Sequence, residues 1–225
     1  MRLKVKTGIA KKDMMPYLFL MPAMFFILAF LAYPLVTVFF YSLQSYDVTK
    51  IADKGFVGLE NFENLFGDKI FYRSLGVSVK WVLVEVCSQL VFGILLALLL
   101  DKKFKGRGIY RCIVFFPWAV SGVLTSMLWS LIYNENIGLL NSICRDLGLI
   151  SKNMAWLGNM KTVFKATAVA EIWRGIPFFA ITILAALQNI PSDLHEACVV
   201  DGATTLQEIF LVKLPILKDT IILTT

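Results

Sequence analysis

The sequence is poor in the residues that carry most enzyme chemistry. Its 225 residues include one histidine and four cysteines. The cysteines lie too far apart along the chain for the close spacing of a zinc or redox motif. No G-x-x-x-x-G-K-[ST] phosphate-binding loop is present. We therefore expect no catalytic residue, no metal and no cofactor bound by this chain.

Charged residues are also scarce, at 17% of the chain, whereas hydrophobic residues make up 58% and the mean hydropathy is +0.72. Soluble domains have about 45–50% apolar and about 25% charged residues. The apolar residues form long blocks, so we predict an all-α polytopic membrane protein with the lipid bilayer as a partner. The net charge of +6 is not arranged with base-stacking aromatics, and we predict no nucleic-acid partner.

Four apolar blocks exceed the ~20 residues that cross a hydrocarbon core of about 30 Å. They lie at about 17–43, 75–100, 109–133 and 162–187. A fifth apolar segment begins near Pro215, and its eleven residues cover only about 16 Å of helix. We predict an incomplete span there, and hence a truncated chain. The first block is longer than the ~7–15 apolar residues of a signal peptide, so it reads as an uncleaved span.

The distribution of basic residues predicts the orientation in the membrane, because short inner loops are enriched in Lys and Arg. The tail 1–16 carries five basic residues, and the short connection between the second and third spans carries five more, whereas the longer segments 44–74 and 134–161 carry four and three. The five in the short connection are Lys102, Lys103, Lys105, Arg107 and Arg111. We predict a cytoplasmic N-terminus. The transmembrane domain is then 17–225, with a cytoplasmic loop at 188–214.

The loop 188–214 has a sequence pattern that membrane topology alone does not explain. Pro191 and Ser192 suit a helix start, Gly202 can adopt the positive φ between two helices, and Thr204 or Thr205 can cap the second one. We predict a short helix, a glycine bend and a second short amphipathic helix, a form suited to docking into a groove of another protein.

The residues of this loop also resemble the EAA loop of permease subunits of bacterial ABC importers. The matching residues are Glu196, Ala197, Asp201, Gly202 and Ala203, followed by Leu214 and Pro215. Cys198 stands where that motif usually has alanine, and His195 where it often has tyrosine. Further matches with carbohydrate-type permeases lie along most of the chain: Phe56–Phe62, Pro117-Trp118, Gly138–Asn141 and Trp173–Phe178. Tyr33-Pro34-Leu35 resembles the first permease subunit of such systems, the maltose- and glycerol-3-phosphate-like kind.

The resemblance implies a transmembrane bundle of the type I ABC importer permease kind in the bacterial plasma membrane, importing sugars or related polyols. It implies three protein partners: a dimer of ATP-binding subunits, a second permease subunit in a heterodimer and an extracytoplasmic solute-binding protein. The EAA-like residues named above would couple this chain to the ATPase. ATP would be bound by the partner subunit.

Polar residues within the spans are candidates for the translocation path, because a charge at bilayer depth normally faces protein or water. Glu85 either lines the path or bridges two helices. Glu171 and Arg174, at i and i+3, share a helix face and can pair. That pair either contacts sugar or is purely structural. Trp173 and Pro177 complete the candidate set.

Two other functions remain as alternatives. A fragment of a secondary carrier would need no docking loop and would show repeated halves. An intramembrane enzyme would need a nucleophile–base pair or metal ligands within the spans.

Overall fold

The computed structural model describes residues 15–45, 55–102 and 104–225. The described residues are mainly helical and contain no strand apart from one isolated bridge between Gln44 and Phe56. The predicted all-α fold is therefore confirmed. The basic tail 1–14 and Lys103, used above to predict orientation, lie outside the described residues, as do Lys50 and Lys54.

Eleven α-helices and two π turns follow one another in the described residues. They are α1 (Met15–Ile27), a first π turn (Leu28–Ala32), α2 (Tyr33–Ser42), α3 (Glu60–Gly67), α4 (Lys69–Asp101), α5 (Arg107–Ala119), α6 (Gly122–Ile132), α7 (Leu139–Asp146), α8 (Val163–Gln188), α9 (Ser192–Val200), α10 (Thr205–Glu208), a second π turn (Ile209–Lys213) and α11 (Leu214–Thr224). The chain divides into two compact units, Met1–Leu75 and Gly76–Thr225.

In the first unit, one apolar helical run covers the first predicted span. Met15–Ser42 is continuous over 28 residues and is long enough to cross a membrane. Neither α1 nor α2 has a buried residue. The end of the run is held by Asn61 of α3, whose amide donates to the carbonyl oxygens of Ser42 and Gln44 at 2.9 and 3.0 Å. This amide satisfies acceptors that the end of a helix leaves open.

Both π turns lie directly before a proline at the second position of the next helix, Pro34 in α2 and Pro215 in α11. A proline ring clashes with the carbonyl four residues earlier and lacks the N–H that would bond to it. The wider π turn, with bonds between residues five apart, relieves this clash without ending the helix. Pro117 and Pro177 lie inside helices that remain α-helical, so a proline alone does not impose the π turn.

The second unit is built on the contact between α4 and α8. These helices have 33 and 26 residues and are long enough to cross a membrane. They cover the predicted span 75–100 and all but the first residue of the predicted span 162–187. Ala97 and Leu100 of α4 pack in one core cluster with Ile183 and Leu187 of α8 and with Leu217 of α11. The core thus joins the fifth apolar segment to the two long helices.

The third predicted span, 109–133, is formed by two helices rather than one. α5 and α6 meet at an angle of 94° and together form a broken span or a re-entrant element. The break falls at Val120 and Ser121, whose ψ angles of 136° and 139° are extended. Ser121 and Gly122 are weak helix formers, which explains why the apolar block does not continue as one helix.

We predict that Gly93→Ala destabilises the second unit. A methyl group at Gly93 would overlap with the Cβ of Phe179 and lie 3.2 Å from the backbone nitrogen of Ala180. Overpacking of this kind costs about 1–3 kcal/mol, so thermal unfolding of the detergent-solubilised protein should move to lower temperature. Gly76→Ala is the matched control in the same helix, because no described atom lies within 4 Å of a Cβ there. Equal transition temperatures for both variants would contradict the prediction.

Candidate functional site

The loop 188–214 folds as the predicted helix, bend and cap. α9 begins at Ser192, directly after Pro191. Gly202 has a φ of 72°, in the left-handed region that favours glycine. Thr204 caps α10 in a reciprocal arrangement with Gln207: the Gln207 side chain accepts from the Thr204 backbone N–H at 2.8 Å, and the Thr204 hydroxyl accepts from the Gln207 N–H.

The residues of the EAA-like pattern lie at the surface of this segment. Glu196 and Ala197 of α9 are exposed, as are Asp201 and Gly202 at the bend. α9 has no buried residue. The segment therefore presents the carboxylates and the glycine bend for contact with another molecule.

The second helix differs from the prediction of a separate amphipathic element. α10 has only four residues and runs through the second π turn into α11. Leu214 and Pro215 lie at the start of α11, as predicted for the opening of the fifth segment. The bend at Gly202 is therefore joined to the next long helix without a second break.

A three-residue ionic cluster, which spacing along the sequence did not predict, joins the two parts of this segment. Glu208 is 7% exposed. Its Oε1 lies 3.0 Å from the Lys213 Nζ and 2.9 Å from the His195 Nδ1. We call these three residues the Glu208 cluster. Burial opposes ionisation of Glu208, but the hydrogen bonds and charges of Lys213 and His195 outweigh it and hold the pKa of this carboxyl below its usual value.

A second candidate site is an open cavity of about 460 Å³ within the second unit. Glu171 and Arg174 of α8 border it and form the predicted i,i+3 pair, in which the Arg174 Nε donates to Glu171 at 3.1 Å and the Arg174 Nη2 donates to its other oxygen. The cavity combines this ion pair with aromatic rings and hydroxyl groups. The other residues of this kind are Trp81, Thr125, Ser126, Trp129, Ser130, Tyr133 and Thr167.

Glu85 lies behind this cavity rather than in its wall. The carboxylate is 6% exposed and accepts a hydrogen bond of 2.7 Å from the Gln89 side chain. Gln89 also donates to the backbone oxygen of Glu171 at 3.4 Å. A Cβ at Gly175 would overlap with the Gln89 amide, so this glycine leaves room for the link. Of the two readings of Glu85, this geometry favours the bridge between α4 and α8.

The other two candidates in α8 contact the cavity only indirectly or not at all. The Trp173 ring meets the Trp129 ring edge-on, with centroids 5.8 Å apart. Pro177 is buried within α8 and does not line the cavity.

Two cavity residues that the sequence analysis missed are unusual in their hydrogen bonding. The Trp129 Nε1 and the Thr125 Oγ1 are buried and have no hydrogen-bond partner among the described residues. Buried polar groups are nearly always paired. Their sequence signal was weak, since a tryptophan and a threonine within an apolar block are ordinary span residues.

Comparison with protein-family models places residues 89–225 in the family described as "Binding-protein-dependent transport system inner membrane component". The chain belongs to this family. It is a permease subunit of a transport system, and the predicted resemblance to ABC importer permeases is confirmed. The matched residues include α8, the segment around Gly202 and most of the cavity wall.

Curated relatives extend this similarity to nearly the whole chain. The permease is 38% identical over 206 residues to the trehalose/maltose transport system permease protein MalF of Thermococcus litoralis, covering 92% of this chain and 69% of that protein. It is 31% identical to the maltodextrin transport system permease protein MdxF of Bacillus subtilis, covering 90% of this chain and 49% of that protein.

Solved structures agree with the fold. A chain of a bacterial ABC transporter involved in the import of the acidic polysaccharide alginate matches with a TM-score of 0.79 and 25% identity, over 95% of this chain and 71% of that one. A chain of the alginate transporter in complex with a periplasmic protein that holds an alginate pentasaccharide matches with a TM-score of 0.80 and 25% identity, over 94% of this chain and 69% of that one.

We predict that Thr204→Ala loosens the first turn after the glycine bend. Loss of an N-cap costs about 0.5–2 kcal/mol, so the backbone amides of 205–208 should exchange hydrogen about two- to thirtyfold faster in a mass-spectrometric experiment. Thr204→Ser retains the capping oxygen and should leave the exchange near wild type. Unchanged exchange in Thr204→Ala would show that the cap does not limit local opening.

Proposed function

We propose that this permease is the membrane-spanning subunit of an ATP-driven, solute-binding-protein-dependent importer for sugars or related polyols. The observation that carries the proposal is the surface segment α9–Gly202–α10, which presents Glu196 and Asp201 beside a glycine bend. The names of the relatives, which specify trehalose and maltose, maltodextrin and diacetylchitobiose, support a carbohydrate substrate.

The energy source in this proposal is a separate dimer of ATP-binding subunits. Glu196, Ala197, Asp201, Gly202 and Ala203 dock into a groove of one ATPase subunit, and Leu214 and Pro215 pass the motion into α11. ATP-driven closure of the dimer draws the coupling helices together, and the spans then open toward the solute-binding protein. A lone short helix with no buried side chain suits such docking, because its exposed faces are free for a partner groove.

The remaining partners and the orientation follow from the same proposal. A second permease subunit supplies the other half of the path, and an extracytoplasmic solute-binding protein delivers the sugar. The N-terminus and α9 face the cytoplasm of the plasma membrane, and Asn61 and Asn141 face the outside. The density of basic residues in the sequence supports this orientation.

The cavity of about 460 Å³ is the proposed contact region for the substrate within this chain. Sugars offer apolar ring faces and many hydroxyl groups, so aromatic rings beside polar side chains suit them. Glu171 and Arg174 supply charge-assisted hydrogen bonds, and Trp173 supports the Trp129 ring. Glu85 and Pro177 act through the placement of α8.

The alternative of a secondary carrier has less support. A secondary carrier places its coupling-ion site at interrupted helices near the bilayer midplane and has no use for an exposed docking helix.

We predict that Glu196→Ala weakens association with the ATPase subunit. Loss of one partner of a desolvated interfacial charge pair costs about 2–5 kcal/mol, which is more than tenfold in affinity. Gly202→Val should disturb the bend through its positive φ, at a cost of about 1–2 kcal/mol. Both variants should insert normally into the membrane. Binding to the ATPase and substrate-stimulated ATP hydrolysis are the measurements.

Gly202→Asn is the matched control, because asparagine tolerates the left-handed region and no described atom lies within 4 Å of a Cβ at Gly202. It should retain most of the association. Full stimulated hydrolysis and uptake in Glu196→Ala and Gly202→Val would reduce this segment to an ordinary connection and remove the main support for the proposal.

We also predict that Trp129→Phe raises the substrate concentration needed for half-maximal uptake. Phenylalanine keeps an aromatic ring but presents a smaller face to the cavity that Trp129 lines, and aromatic contacts contribute about 0.5–1.5 kcal/mol, or about two- to tenfold in affinity. Trp118→Phe is the control, since Trp118 stacks on Phe178 outside the cavity wall. The same kinetics in both variants would exclude the Trp129 indole from substrate binding.

A further inference from the structure

The coupling helix α9 has no buried side chain that would fix its angle. Its link to α10 passes through Gly202, where the backbone is left-handed and exposed. The backbone hydrogen bond from the Ala203 N–H to the Cys198 oxygen, 2.9 Å, closes the end of α9 but spans only five residues. A side-chain contact across the bend is therefore well placed to set the position of α9 relative to α11.

The Glu208 cluster is such a contact, because it joins α9 to the helix after the bend. His195 lies in the second turn of α9, thirteen residues before Glu208, and its Nδ1 lies 2.9 Å from the Glu208 carboxylate. An ionised carboxylate only accepts hydrogen bonds, so the Nδ1 of His195 donates. The same carboxylate oxygen accepts from Lys213 at 3.0 Å. The buried Glu208 carboxylate thus accepts from one donor before the bend at Gly202, His195, and from one donor after it, Lys213.

The second π turn brings Lys213 into this cluster. In an α-helix, side chains three or four positions apart share a face, whereas those five apart do not. In a π turn the backbone bonds join residues five apart, as the Leu214 N–H does with the Ile209 oxygen. Lys213, five residues after Glu208, therefore lies one turn above it. The π turn and the ionic cluster form one unit at the entrance to α11.

The space beside α9 is open and not filled by a core. A cavity of about 740 Å³ borders the Glu208 cluster, and Asp101, Lys102 and Arg107 line it as well. Without the contact of His195 with Glu208, the cavity leaves α9 room to turn about Gly202.

We propose that Glu208 is a positioning residue that holds the coupling helix at a fixed angle to α11, so that motion of α9 passes into the membrane helix. This inference rests on the proposed function, since it assigns a role within ATPase coupling. Docking itself depends on Glu196 and the glycine bend, whereas Glu208 determines whether docked motion is transmitted. A charge-assisted, directional bond to a buried acceptor suits this task better than an exposed apolar contact, because its geometry is specific.

The direct test measures the distance between α9 and α11 in the assembled importer by pulsed electron–electron double resonance. Spin labels are attached to Val200→Cys and Leu223→Cys, two exposed positions, in a permease whose native Cys87, Cys112 and Cys144 are serine and whose Cys198 is alanine. Glu208→Gln should broaden the distance distribution or shift its centre. Asp193→Asn, an exposed acid of α9 outside the cluster, is the matched control and should leave the distribution unchanged.

The functional test compares ATPase association with uptake per ATP hydrolysed. In Glu208→Gln, association should stay near wild type, whereas uptake per ATP should fall at least about fivefold, the lower end of usual coupling between linked sites. Lys213→Met and His195→Asn each remove one donor and should give smaller losses. The double variant Glu208→Lys with Lys213→Glu reverses the charges and should recover part of the coupling.

Unchanged distances and unchanged uptake per ATP in Glu208→Gln overturn the inference while leaving the proposed function intact. If Glu208→Gln does not assemble, the two donor variants decide: wild-type coupling in both overturns the inference, and reduced coupling with normal association supports it. The two failures are distinguishable, because full association and uptake in Glu196→Ala count against docking through α9, whereas the Glu208→Gln results test only the transmission of motion after docking.

Discussion

The close approach of α4 and α8 is the constraint on which the rest of the second unit depends. Between two membrane helices, small residues allow the backbones to come close enough for dispersion contacts to hold them. Gly93 and the fully buried Ala97 provide this surface on α4, and Phe179, Ala180 and Ile183 provide it on α8. The Gln89 amide fits against Gly175 on the same interface. Leu217 then packs into the cluster that the two helices form.

This arrangement makes α8 the common support of both candidate sites. Glu171 borders the cavity in the first half of the helix, and Gln188 ends the helix just before α9. Seventeen residues separate these positions, about 26 Å of helix. A rigid helix over that distance carries a displacement at one end to the other, provided that the elements at each end are themselves held. The Glu208 cluster acts beyond the end of α8, at the short helix α9, which has no buried residue.

The sequence predicted those parts of the site that depend on neighbouring residues. The bend at Gly202, a threonine cap at 204 or 205, and the ion pair of Glu171 with Arg174 each follow from local spacing. The structure contains all three, with Thr204 as the cap. The break between α5 and α6 and the Glu208 cluster did not follow. To predict the break, the length of the apolar block must be weighed against the low helix propensity of Ser121 and Gly122. To predict the cluster, the π turn must be known, because it changes which residues share a face of the helix.

The absence of buried side chains in α1 and α2 has a consequence for how the sequence diverges. Where no described residue buries a side chain, packing within the described part of the chain sets no requirement beyond length and hydrophobicity, and one bulky apolar residue can replace another there at little cost. In α8, by contrast, eight residues are buried, so those positions accept only side chains of a particular shape. The family signature starts at residue 89, in the helix that packs against α8, and leaves the first span out. We therefore expect related permeases to share residue identities along α8, and to share only length and hydrophobicity along the first span.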